Sequence, residues 1–140
     1  MPTDDRPTPP DDPFWYRAKL IREVDGDTDY FHADLGFDLR RYTEVRLNGI
    51  DTAEIFGVSH DSDEYALGEE EADFVAEWLD AVEANAVSEW PFVIHTVEKG
   101  KYRDRWVADV WSSNPFPDDS PYERSLAAEI LSKYPDATYP

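Results

Sequence analysis

Three short stretches of this sequence combine acidic residues with arginine or lysine in an order that could do chemistry on a phosphate. They are DGDT at 25–28, RLNGIDTAE at 46–54 and KGKYRDRWVADV at 99–110. Asp27 follows a tight turn and Asp51 follows an expected strand end, so both carboxylates can offer oxygen atoms to a hard cation such as Ca²⁺. A backbone carbonyl of Thr52 would add a ligand, and water and substrate would fill the remaining positions. We therefore expect a calcium site that binds its ion weakly until a phosphate arrives.

Three further charged residues would act on that phosphate. Glu54 lies three residues after Asp51, so it would stand beside the metal ligands and orient or deprotonate an attacking water. Arg46 and Arg105 can converge on the phosphate, because a guanidinium matches two oxygens at once and stabilises the charge that grows in the transition state. A cation, a water, a base and two arginines are the components that phosphodiester hydrolysis requires.

Each stretch also has a simpler interpretation. An Asp-Gly-Asp turn usually hydrogen-bonds its own backbone, and Arg46 could be a surface arginine paired with Glu44 or Asp51. Glu54 could lie in a solvated loop, and a basic hairpin is often only surface. It is the combination and order of the three stretches that favours a site.

The elements that must position these residues are strands and one long helix. Strands are expected at 15–24, in two runs of 29–49 broken near Gly36, at 91–98 and at 105–111. Apolar residues at helical spacing predict a helix over about 67–86, with Ser62 or Asp63 as a possible cap. A short second helix within 122–134 is stopped by Pro135.

The predicted order, β-β-β-α-β-β-α, indicates a mainly β protein with helices (α+β). Five short strands with a helix between the third and the fourth are the connectivity of a five-stranded OB-fold barrel. Residues 1–13 hold five Pro and four Asp, so we expect a disordered acidic tail followed by one domain over 14–140.

Composition narrows the class of protein. There is no cysteine, which excludes disulfides, thiolate nucleophiles and Cys-based zinc sites, and the three histidines match no zinc motif. The net charge of −19, with only four Lys among 13 basic residues, is typical of a halophilic protein that works in molar salt; an acidic protein of an ordinary cytosol is the alternative. The N-terminus has no leader-like pattern and no apolar run is long enough to span a membrane, so we expect a cytoplasmic monomer without a membrane partner.

Together, the three stretches and the strand pattern resemble the staphylococcal-nuclease-like (thermonuclease) family over roughly residues 15–111. The resemblance implies a calcium-dependent nuclease acting on DNA, RNA or both. It assigns the calcium to Asp27, Asp51 and the Thr52 carbonyl, the general base to Glu54, and phosphate binding to Arg46 and Arg105. By the same resemblance, Lys101 and Tyr102 would hold the terminal nucleotide.

The sequence departs from the family pattern at two places near the site. Ala53 stands where the family usually has Pro, which removes some rigidity from the loop but no ligand. The hairpin reads Tyr-Arg-Asp-Arg where the family commonly has Tyr-Gly-Arg, so Arg103 is the alternative to Arg105. Arg105 is preferred because RWVADV continues directly into the strand, as in the family.

Two other functions remain compatible with this sequence. A nuclease-like barrel could bind nucleic acid or a partner protein without cutting it. An acidic DNA mimic could bind nucleic-acid-binding proteins and need no metal; it accounts for the charge but not for Arg46 and Arg105 within the two motifs.

Overall fold

Seven elements follow one another in the predicted order, β-β-β-α-β-β-α. They are β1 (Trp15–Glu23), β2 (Thr28–Asp34), β3 (Arg40–Leu47), α1 (Asp63–Ala84), β4 (Phe92–Lys99), β5 (Arg105–Ser112) and α2 (Leu126–Lys133). The computed structural model describes residues 14–101, 105–122 and 124–139. The tail expected at 1–13 therefore lies outside the described residues.

The five strands form a closed barrel in the order β1-β2-β3-β5-β4. Neighbouring strands are antiparallel except β3 and β5, which run parallel and close the barrel with Glu44 opposite Arg105. The first three strands are a meander, and the long helix lies between the third and the fourth strand in the chain. The expected OB-like α+β barrel is confirmed.

Alternation along the strands separates a core face from an outer face. Ala18, Phe31, Val45 and Phe92 are fully buried, one from each of four strands, whereas their sequence neighbours are more exposed or polar. Strand β1 keeps this alternation up to Leu20, after which a bulge shifts its register against β2. The bulge brings Arg22 opposite Tyr30 on the outer face.

Helix α1 covers one end of the barrel and begins earlier than the apolar spacing predicts. Ser62 is its N-cap, with a side-chain oxygen that accepts a hydrogen bond of 3.1 Å from the backbone N–H of Tyr65. The helix therefore starts at Asp63, four residues before the first apolar position of the predicted stripe. Its buried residues include Val75, Trp78 and Leu79, which belong to the same core cluster as the inward strand residues.

Helix α2 is shorter than predicted. It begins after its cap, Ser125, and ends at Lys133, so Tyr122 and Arg124 lie before the helix. Leu126 and Ile130 pack into the core. No helix within the described ranges is long and apolar enough to cross a membrane.

Candidate active site

A cavity of about 580 Å³ opens where the β1–β2 turn, the end of β3 and the start of β5 meet. All three motif stretches contribute to its wall, although they are far apart in the chain. The predicted site residues that line it are Asp27, Arg46, Asp51, Glu54, Lys101 and Arg105. Thr52 lies behind the wall and is buried.

Asp27 is held by the loop that follows β3. Its Oδ2 accepts hydrogen bonds of 3.2 Å from both the backbone N–H and the hydroxyl of Thr52, and its Oδ1 accepts one of 3.0 Å from the hydroxyl of Thr28. The backbone carbonyl of Asp27 also accepts a bond of 2.8 Å from the N–H of Leu47. The carboxylate is therefore fixed in place and stabilised as an anion.

Arg46 bridges the two predicted calcium ligands. One guanidinium nitrogen, Nη2, lies 3.5 Å from Oδ1 of Asp51 and 3.9 Å from Oδ2 of Asp27. The same nitrogen donates to the carbonyl oxygen of Ile50 at 3.3 Å, and the guanidinium lies over the ring of Tyr139 at 5.1 Å. Both carboxylates therefore share the positive charge of one guanidinium group.

Arg105, at the first position of β5, reaches the pocket from the opposite wall. Its Nε and Nη2 donate to Oε1 of Glu44 at 3.1 and 2.9 Å, and Nη2 also lies 3.5 Å from the hydroxyl of Thr28. Glu44 and Arg105 face each other in the parallel β3–β5 pairing. Arg105, the predicted phosphate-binding arginine, is thus paired with a carboxylate that the sequence motifs did not include.

The segment from Thr52 to Ile55 is pressed against helix α1. The backbone N–H of Ala53 donates a bond of 2.8 Å to Oε1 of Glu71, a buried residue of the helix. A Cβ atom added to Gly68 would lie 2.5 Å from Cγ2 of Ile55 and 2.7 Å from the carbonyl oxygen of Ala53, so only glycine permits this approach. The helix positions the loop from behind, while Glu54 remains exposed on the side of the pocket.

The basic connection between β4 and β5 is described only in part. Lys99, Gly100 and Lys101 line the pocket, and the N–H of Gly100 donates to the carbonyl of Arg105 at 2.9 Å. Tyr102 and Arg103 lie outside the described residues. The choice of Arg105 over Arg103 therefore stays a prediction, although Arg105 is within the pocket.

The carboxylates around Asp27 affect one another. Burial, followed by the neighbouring charge of Asp27, raises the pKa of Asp25 to about 7, and Oδ1 of Asp25 accepts a bond of 3.0 Å from the N–H of Asp27. Burial also raises the pKa of Glu71, with smaller contributions from the charges of Asp27 and Asp51. The pocket thus concentrates negative charge in a partly dehydrated space, as a cation site requires.

The donor set fits a hard cation but does not form a complete protein cage. Among residues 14–101, 105–122 and 124–139, no three His, Asp or Glu side chains are grouped closely enough to hold a metal. The set predicted here is smaller, with two carboxylates and one carbonyl, and carboxylate oxygens are the ligands that Ca²⁺ prefers. The backbone N–H and the hydroxyl of Thr52 both donate to Asp27. Thr52 therefore contacts the site through these two groups.

Four residues that shape the pocket were not identified from the sequence motifs. Glu44 and Asp25 are carboxylates next to predicted residues, and the alternation of β3 places Glu44 on the same face as Arg46. Tyr139 belongs to a segment that returns to the site, where Thr138 pairs with Ile50 and the carbonyl of Ala137 accepts from Asp51 N–H at 2.9 Å. No local pattern indicates this return. The fourth is Glu71, whose place on the buried stripe of the helix was a detectable signal.

No model of a known protein family matches this chain, and no curated protein is significantly similar to it. The chemistry assigned to the pocket therefore depends on its residues and their geometry.

Proposed function

We propose that this chain is a calcium-dependent nuclease that hydrolyses phosphodiester bonds of DNA or RNA by attack of water. One observation carries the proposal: two carboxylates, an exposed glutamate and two arginines from three distant segments line a single cavity of about 580 Å³. A surface with unrelated functions would not bring these types together. The resemblance to staphylococcal-nuclease-like proteins supports the same reading.

Asp27, Asp51 and the backbone of Thr52 would hold the calcium ion, which would supply positive charge beside the scissile phosphate. Arg46 already lies between the two carboxylates, so it would turn one edge toward the phosphate while they hold it in place. Its stacking on Tyr139 limits the positions that the guanidinium can take. Arg46 is therefore suited to orient the phosphate and to stabilise the charge that grows on it.

Glu54 would be the general base. It is exposed on the pocket wall and lies three residues from Asp51, on the loop that α1 holds in place. An exposed carboxylate accepts a proton from water without the cost of burying a charge, and general bases typically contribute about 100- to 10,000-fold in rate. Substrate would draw Arg105 away from Glu44. Arg105 would then neutralise negative charge on the leaving-group side of the phosphate.

The net charge of −19 limits how a polyanion can bind. We propose that the protein works in molar salt, where the Debye length is about 3 Å and long-range repulsion is screened. Affinity would then depend on direct contacts from arginine, calcium and aromatic rings. A chloride titration of folding tests this: the protein should unfold in dilute buffer and fold as KCl rises, and a fully folded state without salt would contradict it.

The Glu44–Arg105 pair favours one alternative, a barrel that binds nucleic acid or a partner protein without cutting. Cleavage assays separate the two. Wild-type protein, Glu54→Gln and Arg46→Ala are incubated with single- and double-stranded DNA and RNA in molar KCl, with Ca²⁺ or with a chelator. Glu77→Gln is the matched control, because Glu77 is exposed on helix α1 and does not line the pocket.

We expect cleavage with Ca²⁺ that the chelator abolishes, a loss of at least about 100-fold in Glu54→Gln and Arg46→Ala, and an unchanged rate in Glu77→Gln. Binding without cleavage would establish the alternative. Cleavage that survives chelation and both substitutions would show that the catalytic assignment is wrong.

A further inference from the structure

The outer surface of the first three strands carries basic side chains interleaved with aromatic rings. We call it the strand face. Its members are Arg17, Lys19 and Arg22 of β1, Tyr30 and His32 of β2, Arg40 and Tyr42 of β3, and Trp90 before β4. Phe31 and Ala33 point into the core. Because side chains alternate along a strand, Tyr30 and His32 point outward. None of these residues lines the candidate active site.

One centre of the strand face is a pair of tyrosines. The rings of Tyr30 and Tyr42 are stacked, with centroids 5.3 Å apart and planes 24° from parallel. The guanidinium of Arg22 lies 4.7 Å from the centre of the Tyr30 ring, and His32 meets Tyr42 edge-on at 5.9 Å. Tyr42 is 49% exposed, so its ring is accessible to a ligand. Accessible aromatic rings next to cations are the groups on which unpaired bases stack.

The second centre is Trp90, which is approached by three cations. Lys19, Arg40 and Arg17 lie 5.0, 5.1 and 5.7 Å from its ring centre. Each is within the range of a cation–π contact. Asp34 and Glu89 offset two of these three charges, which leaves a local excess of one positive charge around the ring.

Two acidic residues near this face, Asp34 and Glu89, are paired with its cations. Asp34 is paired with Arg17, and the backbone N–H of Gly36 together with Arg17 lowers the pKa of Asp34, so it stays a paired anion. Glu89 contacts Lys19 at 3.9 Å. By contrast, helix α1 has nine acidic residues and no Lys or Arg among its 22. A polyanion would be repelled by the helix and accepted by the strand face.

The strand face leads directly to the pocket. Thr28, Tyr30, His32 and Asp34 alternate along β2, and Thr28 is part of the pocket wall. The seven residues from Thr28 to Asp34 span roughly 20 Å along the strand. Across the sheet, Tyr30 lies opposite Glu44, the partner of Arg105 in the pocket. A chain that lies along the face would therefore reach the arginines of the site.

We propose that the strand face binds a single-stranded polynucleotide and guides it into the pocket. Stacking on Tyr42 requires unpaired bases, so a single strand should be preferred to a duplex. The role of the face in cleavage depends on the nuclease function proposed above, whereas binding to the face does not. An acidic protein segment, including α1 of a second copy, is the competing ligand that the experiment must exclude.

The test measures binding of a fluorescent single strand of about 12 nucleotides and of the matching duplex, with a chelator present to prevent cleavage. Tyr42→Ala should weaken single-strand binding about tenfold and Arg40→Ala about threefold. Tyr42→Phe keeps the ring and should bind within about twofold of wild type. The charge control is Lys133→Ala on α2, which lies over Phe74 and should leave binding unchanged.

Three results would overturn the proposal: equal binding by Tyr42→Ala and wild type, a duplex bound as tightly as the single strand, or a loss in Lys133→Ala equal to that in Arg40→Ala. Sedimentation without nucleic acid gives the remaining outcome, because self-association that Arg40→Ala abolishes would assign the face to a second copy. The melting temperature of each variant shows whether it is folded. If Tyr42→Ala is not folded, binding by Tyr42→Phe is compared with binding by wild type instead.

A cleavage arm separates this proposal from the nuclease proposal. Wild type and Tyr42→Ala are compared on a long single strand and on a nitrophenyl phosphodiester too small to reach the face. We expect Tyr42→Ala to lose about tenfold on the long strand at subsaturating concentration and nothing on the small ester. If neither protein cleaves either substrate but binding still depends on Tyr42, the nuclease proposal is refuted and the strand-face proposal stands.

Discussion

Asp27 and Asp29 are two residues apart in the chain and lie in opposite environments. The carboxylate of Asp27 faces the pocket, where it accepts bonds from Thr28 and Thr52 and lies near Arg46. The carboxylate of Asp29 is fully buried, and neither of its oxygens has a hydrogen-bond partner among the described residues. The same side chain is thus a supported anion at one position and a cost to folding at the other.

The difference shows that partners decide whether a buried acid is useful. Burial, followed by the charges of Glu23 and Asp25, raises the pKa of Asp29 well above its usual value, so this group favours its neutral form. Asp29 lies opposite Glu23 across β1 and β2, and Oε1 of Glu23 is likewise buried without a partner in the described part of the chain. Removing a partnered acid should harm the protein, and removing an unpartnered one should help it.

The largest effect is expected from Asp27→Asn. This change removes the charge that Thr52 and Arg46 support and one of the two carboxylates proposed for calcium, so cleavage should fall at least about 100-fold. The measurement is kcat/KM on DNA over a range of Ca²⁺ concentrations. Asp118→Asn in an exposed turn is the control and should keep its activity. Activity within tenfold of wild type in Asp27→Asn would remove Asp27 from the site.

Asp29→Val should have the opposite sign. Valine fits a strand and removes an unpartnered carboxyl group from the core, so the free energy of unfolding at pH 8 should rise by about 2 kcal/mol. Denaturant titration of Asp29→Val, Asp27→Val and wild type measures it, and Asp27→Val should be less stable than wild type. A destabilised Asp29→Val would mean that Asp29 has a partner in solution, such as a bound cation.

Glu23→Gln should change the dependence of stability on pH. Burial, with a smaller contribution from the charge of Asp25, raises the pKa of Glu23 from 4.5 to about 7. The folded state therefore binds a proton more tightly than the unfolded state, and stability should fall as pH rises from about 4.5 to 7. Glutamine removes this contribution, which we place at about 1 kcal/mol because the group is half-buried and solvent screens it.

Thermal melts of wild type and Glu23→Gln between pH 4 and pH 8 show the contribution as a difference between two slopes. The two proteins should converge at the acidic end and separate above pH 7. Parallel curves would show that folding does not raise the pKa of Glu23.

The smallest effect is expected from Glu44→Gln. Glu44 differs from Asp27 and Asp29 because its partner, Arg105, is also proposed to bind phosphate. Glu44 accepts bonds of 3.1 and 2.9 Å from Arg105 and so competes with phosphate for it. Its neutral replacement should tighten inhibition by inorganic phosphate about threefold in the cleavage assay. Weaker inhibition would show instead that Glu44 orients Arg105 toward the phosphate.

Local chemistry and alternation were sufficient to predict the order of the elements along the chain, whereas four of the residues that shape the pocket were missed. Val45 and Leu47 pack inward with Arg46 between them, and Gly49 turns the chain with a φ of 76°. These outcomes depend on short-range rules that adjacent residues carry. Alternation also places Asp29 in phase with Phe31, so its burial could have been predicted from the sequence.

The rest depends on contacts between residues far apart in the chain. Glu44 meets Arg105 across 61 positions, and Tyr139 reaches Arg46 only because residues 137–139 return to the loop after β3. The start of α1 at Asp63 follows from the Ser62 cap and not from the apolar stripe. Such contacts become visible only when strand order and register are known.

The parallel pairing of β3 with β5 has a consequence for how the protein reaches its active form. The meander of β1, β2 and β3 joins neighbours in the chain, whereas β3 and β5 are separated in the chain by α1 and β4. Contacts between distant segments form slowly, because the entropy of closing a long loop must be lost first. Arg105 reaches the cavity through this long-range pairing. A refolding chain should therefore show native-like strands before it completes the cavity.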